Sequence, residues 1–298
     1  MTIAAAYVTA EAVVLGADST TTYANTGGNQ YYNHSQKIFE IGENSTLAAV
    51  TWGLGGLNVS SYRTLIALFS DSFKHQKPKN VTDAASKWSK QFWNAYTTSP
   101  LLASTFDRAR NLNAKKPFDP SSVPVTADMR TDAEEQEVSK IRQDYAVGFC
   151  IGGYVLPDRT PKALSVIFDP SMATAPTPLE LPLGASFWGA LNVVLRTLNG
   201  FDPNLQDRII QSGKWSGTPL ELTAILDTCR LGIPILPVRD ALDFVNISLL
   251  STIKTFKFAS PTPICGGSVE LGLITSDRTF RWVKHKPWTS AIGEEANA

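Results

Sequence analysis

Short apolar blocks with a period of two occupy both ends of the chain, and between them the period lengthens to three and four. At the start, residues 3–8 and 12–18 read as strands, the second carrying the β-branched pair Val13-Val14, with a turn over Thr9, Ala10 and Glu11. A polar stretch over 19–35 follows and holds the turn-forming Gly27-Gly28-Asn29. Residues 37–41 alternate as a strand, Gly42-Glu43-Asn44 turns the chain, and 46–51 returns apolar, so the opening reads as a β-meander.

Helical spacing then takes over. Tyr62, Leu65, Leu68 and Phe69 recur on one face after a cap at Ser60 or Ser61, and Ala85, Trp88, Phe92 and Tyr96 recur after a cap at Thr82. An aromatic stripe of that kind reads as core packing. Residues 100–143 are irregular, broken by Pro117-Phe118-Asp119-Pro120-Ser121-Ser122 and helical over 131–142, and are expected to be an insertion. Strands resume over 145–154, 163–168 and 179–183; helices follow over 187–198, 220–231 and 238–256; and a hairpin over 268–275 and 279–283 turns at Ser276-Asp277-Arg278. A short tail runs from about 286.

Helix blocks segregated from strand blocks imply antiparallel sheets rather than βαβ units. The expected fold is therefore α+β, a four-layer αββα sandwich in one domain spanning 1–298, without repeats or linkers.

Composition narrows the partners. Lys plus Arg and Asp plus Glu are both 27, which gives no net field to gather nucleic acid or an anionic membrane. The three cysteines, Cys150, Cys229 and Cys265, are widely spaced and lack a Cys-x-x-Cys pair, so neither a disulfide framework nor a zinc site is indicated. No basic, signal-length N-terminus and no apolar run of roughly 20 residues is present, which suits the cytoplasm. His34, His75 and His285 are scattered, so no metal and no cofactor is expected.

The candidate chemistry lies in the first forty residues. Thr2-Ile3-Ala4-Ala5-Ala6-Tyr7-Val8, Leu15-Gly16-Ala17-Asp18-Ser19 and Ser35-Gln36-Lys37-Ile38-Phe39 resemble the start of proteasome β-type subunits and their bacterial relatives, an N-terminal-nucleophile hydrolase family. Ile3 and Ala4 depart from the further threonines common there. The resemblance implies Thr2 as nucleophile once Met1 is removed, with Asp18 and Lys37 completing the catalytic group.

The physical logic stands beside the name. A threonine hydroxyl needs a base within reach, and a terminal amine supplies one on the same residue. A nearby Lys37 ammonium would lower the amine's pKa by repulsion, and Asp18 would hold the lysine in place. The bland alternative is a polar residue at a strand start beside a structural ion pair. An oxyanion donor is expected at the backbone of Thr51, with Ala49 and Gly53 also reachable. Gly53-Leu54-Gly55-Gly56 reads as a turn into the first helix, because phosphate-loop spacing is missing.

Near the C-terminus, Ile264-Cys265-Gly266-Gly267-Ser268 resembles the family's Ser-Gly-Gly segment, with Cys265 and Thr262 where the family has supporting Ser and Asp residues. Cys265 itself has no basic neighbour in sequence to activate it, so a buried or supporting thiol is expected. Together these readings point to a threonine-type peptidase or amidohydrolase acting on a peptide or protein substrate. The resemblance also implies a homo-oligomer, with rings among the forms it takes. Two alternatives stay open: a transpeptidase or ligase using the same acyl-enzyme, and a non-catalytic structural subunit.

Overall fold

A computed structural model of the chain describes residues 2–25, 28–57, 60–118, 128–259 and 265–286. Met1, Gly27, Asp119-Pro120-Ser121-Ser122, Thr262 and the tail beyond 286 carry expectations that lie outside the described residues.

Among the described residues the chain runs through β1 (Ile3–Val8), β2 (Ala12–Ala17), β3 (Thr21–Asn25), β4 (Gly28–Tyr32), β5 (Ile38–Glu40) and β6 (Leu47–Gly53). Four helices follow: α1 (Tyr62–Ser72), α2 (Val81–Thr97), α3 (Ala103–Asn113) and α4 (Asp132–Tyr145). Strands β7 (Val147–Val155), β8 (Asp158–Phe168), β9 (Leu179–Glu180) and β10 (Gly184–Gly189) come next, then α5 (Asn192–Asn199), α6 (Leu205–Gln211), α7 (Pro219–Asp227) and α8 (Val238–Ala259), and last β11 (Glu270–Thr275) and β12 (Arg278–Lys284). The class is α+β, and the named strands pair antiparallel throughout.

Two five-stranded sheets carry the fold, in the orders β10-β1-β2-β11-β12 and β5-β6-β7-β8-β9. Strand alternation sends each face of the first sheet to a different core. Ile3, Ala5, Tyr7 and Val14 pack with Ala241, Val245 and Leu249 of α8. Ala4, Ala6, Val13 and Leu15 pack instead with Ile38, Val50 and Cys150 of the second sheet. On that sheet's other face, Phe149 and Phe168 meet the α2 stripe of Trp88, Phe92 and Tyr96, with ring centroids 4.6–4.9 Å apart for the pairs Phe92–Phe168, Phe92–Phe149 and Trp88–Phe149. The edge-on packing of Phe149 with Phe92 and Trp88 adds to what the buried area alone contributes.

Several expectations change. The opening is not one meander, because β1 and β2 belong to one sheet and β5 and β6 to the other. The polar stretch between them forms its own hairpin, β3-β4, which pairs with neither large sheet and so carries no apolar alternation to read. The helix expected from 187 starts at Asn192 instead, since Gly184–Gly189 pairs along all of β1. That pairing overrides local preference.

The strand expected over 179–183 shrinks to Leu179–Glu180. Leu68 is 54% exposed, and Ile66 takes its place in the α1 core. The cap of α2 is Asn80, whose side chain accepts from the Asp83 N–H, rather than Thr82. Helix α3 was not expected; it packs on α4 through Ala109, Leu112, Val138 and Ile141. No helix among the described residues is long and apolar enough to cross a membrane.

Candidate active site

Three strand ends meet at one place. Antiparallel pairing of β1 with β2 sets Ala4 opposite Ala17, which brings Asp18, just past β2, beside the residues that lead into β1. Two hydrogen bonds fix this: Asp18 N–H donates to Ile3 O at 3.1 Å, and Ile3 N–H donates to Asp18 Oδ1 at 3.1 Å. Lys37 stands immediately before β5 and crosses to the other sheet's partner group. Its Nζ donates to Asp18 Oδ1 at 2.5 Å and to Thr20 O at 2.6 Å. Asp18 Oδ2 accepts from Gly266 N–H at 2.9 Å and Thr20 N–H at 3.3 Å.

Thr2, Asp18 and Lys37 are all buried. Thr2 and Lys37 line the same narrow cleft, of about 30 Å³, together with Thr21, Thr51, Trp52 and Gly53. Trp52 stacks on Trp188 with centroids 4.3 Å apart, so the cleft has a stiff aromatic wall. Behind Thr2 the backbone is pinned, because Ala190 N–H donates to Thr2 O at 2.8 Å. Gly189 permits that approach: its φ is +88°, and a Cβ there would lie 1.8 Å from Thr2 O. Hollows of about 430 and 420 Å³ lie over α4 and between α2 and α3, and one of about 610 Å³ lies beside α1 and shares Gln36 with the cleft of Thr2 and Lys37.

Burial pushes the Lys37 ammonium below its ordinary pKa, and Asp18, then Cys265 and Glu270, pull it back only in part. The result is a cation that releases its proton more readily than a surface lysine. Burial also lifts the Cys265 thiol to about 12, with the Asp18 charge adding to the effect. A thiol so disposed is a poor nucleophile at neutral pH.

Thr51 needs correction. Its N–H donates to Lys37 O at 3.0 Å in the β5-β6 ladder, and its hydroxyl donates to Gly148 O at 3.0 Å. Both groups are engaged, so Thr51 anchors the Lys37 backbone instead of facing an oxyanion. Alternation along β6 turns the Gly53 N–H to the same side as that of Thr51, beyond the point where β5 begins. Gly53, at φ +87°, is thus the better-placed donor. Cys265 sits beside the pair through its neighbour Gly266, whose N–H holds Asp18. Thr262 lies outside the described residues.

The sequence reading missed Glu270, Lys286 and Gly189. A charge inside the apolar run Val269-Glu270-Leu271 was the available signal for the first. Gly189 had none, since its role depends on a carbonyl from the far end of the chain.

No family model matches the chain, and no curated protein matches it. Among solved structures it is similar to a mutant of Anbu from Hyphomicrobium sp. strain MC1, at 11% sequence identity and a TM-score of 0.44, with 100% of this chain and 97% of that chain covered. Similarity at that level carries no argument about family or activity. Membership of the proteasome β-type family, implied by the resemblance of the first forty residues, is therefore withdrawn: the matching motifs are local, and no comparison sustains them over the whole length.

Proposed function

We propose that the chain is a threonine-type amidohydrolase, cleaving peptide or protein substrates with Thr2 as nucleophile after Met1 is removed. One observation carries the reading: a buried lysine, fixed on a buried aspartate at 2.5 Å, shares a cleft with Thr2. A buried cation of this kind is costly unless it is paired, and its presence beside a hydroxyl is the arrangement that a weak nucleophile requires.

In this reading the free amine of Thr2 takes the hydroxyl proton as the oxygen attacks the substrate carbonyl. Repulsion by the Lys37 ammonium keeps that amine neutral and ready to accept the proton. Gly53 N–H donates to the oxyanion. Collapse breaks the C–N bond, the leaving amine takes the proton back from the Thr2 ammonium, and an ester remains on Thr2. Water, deprotonated by the same amine, then attacks the ester and frees the acid.

With this reading go several finer ones: an αββα layering in a single domain over 1–298, an insertion at 100–143, a tail from about 286, a cytoplasmic setting, and no nucleic-acid or membrane partner. Self-association is proposed too, supported by the exposed Leu220, Ile225 and Leu231 on and after α7. A ring is one such form, and sedimentation measures its size.

The test is direct. Intact mass should show loss of Met1, and a peptide-like β-lactone should add once, on Thr2. The Thr2→Ala variant should show neither adduct nor turnover. Retention of Met1, or turnover by Thr2→Ala, would refute the assignment. Cys265 and Thr262, standing where the resemblance implies Ser and Asp, favour a second reading, a non-catalytic subunit, which predicts no adduct on a protein free of Met1.

A further inference from the structure

Glu270 is fully buried, although β11 is otherwise an apolar strand ending in Thr275. A carboxylate out of water needs hydrogen bonds or a cation to remain charged. Neither of its oxygens has a well-aligned donor among the described residues. What surrounds it is charge. His285 Nδ1 lies 2.9 Å from Oε1, off the line of a hydrogen bond, and Lys286 Nζ lies 3.5 Å from the same oxygen.

Both residues follow β12, and both are held in place from outside the pair. His285 stacks on Trp282 with centroids 4.2 Å apart. Lys286 Nζ donates to Ser35 O at 2.9 Å, two residues before Lys37. On the other side, β11 pairs with β2 so that Glu270 stands opposite Ala17, the residue before Asp18. Two ion pairs therefore lie back to back, Asp18 with Lys37 and Glu270 with Lys286, and among the described residues Cys265, beside the first, and His285, against Glu270, are further titratable groups that face them.

We propose that Glu270 is a positioning residue of the Thr2 site, whose carboxylate holds Lys37 in its charged form and is itself braced by His285 and Lys286. An opposite charge favours an ammonium, and a like charge disfavours it. The Glu270 carboxylate acts on Lys37 in the first sense and the Lys286 ammonium in the second. The proposal gives meaning to a buried charge that packing alone would replace with an apolar side chain. It rests on the catalytic reading for its purpose. Its electrostatic content can be measured without turnover.

The experiment follows the Lys37 side chain by 13C NMR on lysine-labelled protein, with the Lys37 signal assigned by its loss in Lys37→Met. Glu270→Gln removes one negative charge with little change of shape, so the Lys37 titration midpoint should move down, by about one unit for a neighbouring buried charge. Lys286→Met removes a positive charge, so the midpoint should move up. Opposite shifts are what a merely structural role would not produce. Unmoved midpoints, or shifts of the same sign, in variants with wild-type circular dichroism would overturn the proposal. Should Glu270→Gln not fold, Glu270→Asp, which keeps the charge but draws it back by one methylene, decides in its place: the Lys37 midpoint should move down, and an unmoved midpoint would overturn the proposal. Turnover measured in parallel separates the two ideas: opposite shifts in a protein whose Thr2→Ala variant keeps its activity would leave Glu270 coupled to Lys37 and remove the catalytic reading.

Discussion

Asp18 accepts from four donors, the N–H groups of Ile3, Thr20 and Gly266 and the Lys37 ammonium, which fills the acceptor capacity of an ionised carboxylate. Removing Lys37 leaves those three amides in place but strands a buried negative charge. Lys37→Met should therefore cost about 3–5 kcal/mol in urea unfolding, and the double variant with Asp18→Asn should cost less than the two single losses added together. An additive double-mutant cycle would show that the pair is not coupled. The proposed catalysis depends on the same group. Because burial holds Lys37 below its ordinary 10.5, the alkaline limb of kcat/KM should fall at a pH below 10.5, as the cation that favours ionisation of the Thr2 hydroxyl is lost. The thiols give a third check at this scale. Cys150 and Cys265 are buried and Cys229 is exposed, so native alkylation should add once per chain, at Cys229. Early labelling of Cys265 would revive a reactive thiol at the site. That Thr2, Asp18 and Lys37 lie together was expected from the resemblance of the first forty residues; the apolar pattern places each at a strand end but does not say which ends meet. Glu270 was not expected, since a lone charge in a short strand looks like the polar phase of an alternation. Nor was the engagement of the Thr51 amide, which depends on the register between two strands and hence on how the turn at Gly42 and Asn44 is built, both at positive φ.

Elements with strong internal periodicity could be read from the chain, and those defined by a distant partner could not. Helix α2 and the β11-β12 hairpin carry their own signals in an aromatic stripe and a two-residue alternation. Strand β10 does not: its sequence around Phe187 and Trp188 suits a helix, and only pairing with β1 makes it a strand. The same edge places the proposed nucleophile, because Thr2 O is held where β10 ends. Gly189→Ala puts a methyl into the space of that carbonyl and forces a residue with a side chain to φ +88°. The variant should lose roughly 1–3 kcal/mol of stability from backbone strain, and about a hundredfold in turnover from displacement of the hydroxyl. Stability by urea and kcat/KM on one preparation check both. Full activity in Gly189→Ala would mean that Thr2 is not positioned from this strand.

Among the described residues several ionisable groups that folding perturbs are withdrawn from water, and their directions dictate how stability changes with pH. Lys37 and Lys286 are both held below 10.5 by burial. In the unfolded chain they keep their protons up to about that value, so between the folded and unfolded values the unfolded state binds more protons, and stability rises with pH. Tyr62, buried against Phe92 and Phe149, is raised above its ordinary 10.0 by burial, and Tyr96 moves the same way. Above pH 10 the unfolded chain ionises these phenols while the folded chain does not, so stability falls. The depressed carboxylates Asp83 and Glu134 contribute only in acid and leave this window untouched. Unfolding free energy should consequently climb below pH 10.5, where the folded lysines lose protons that the unfolded chain keeps, and turn over where the phenols of the unfolded chain ionise. Lys286→Met removes one of the two climbing contributions without touching Asp18 or the phenols, so its curve should rise less steeply on the alkaline side while turning over at the same place. Urea titrations at closely spaced pH values measure both slopes. A Lys286→Met curve parallel to that of the wild type would mean that this lysine is as well solvated in the fold as out of it, and that the second ion pair behind Asp18 and Lys37 is not a buried one.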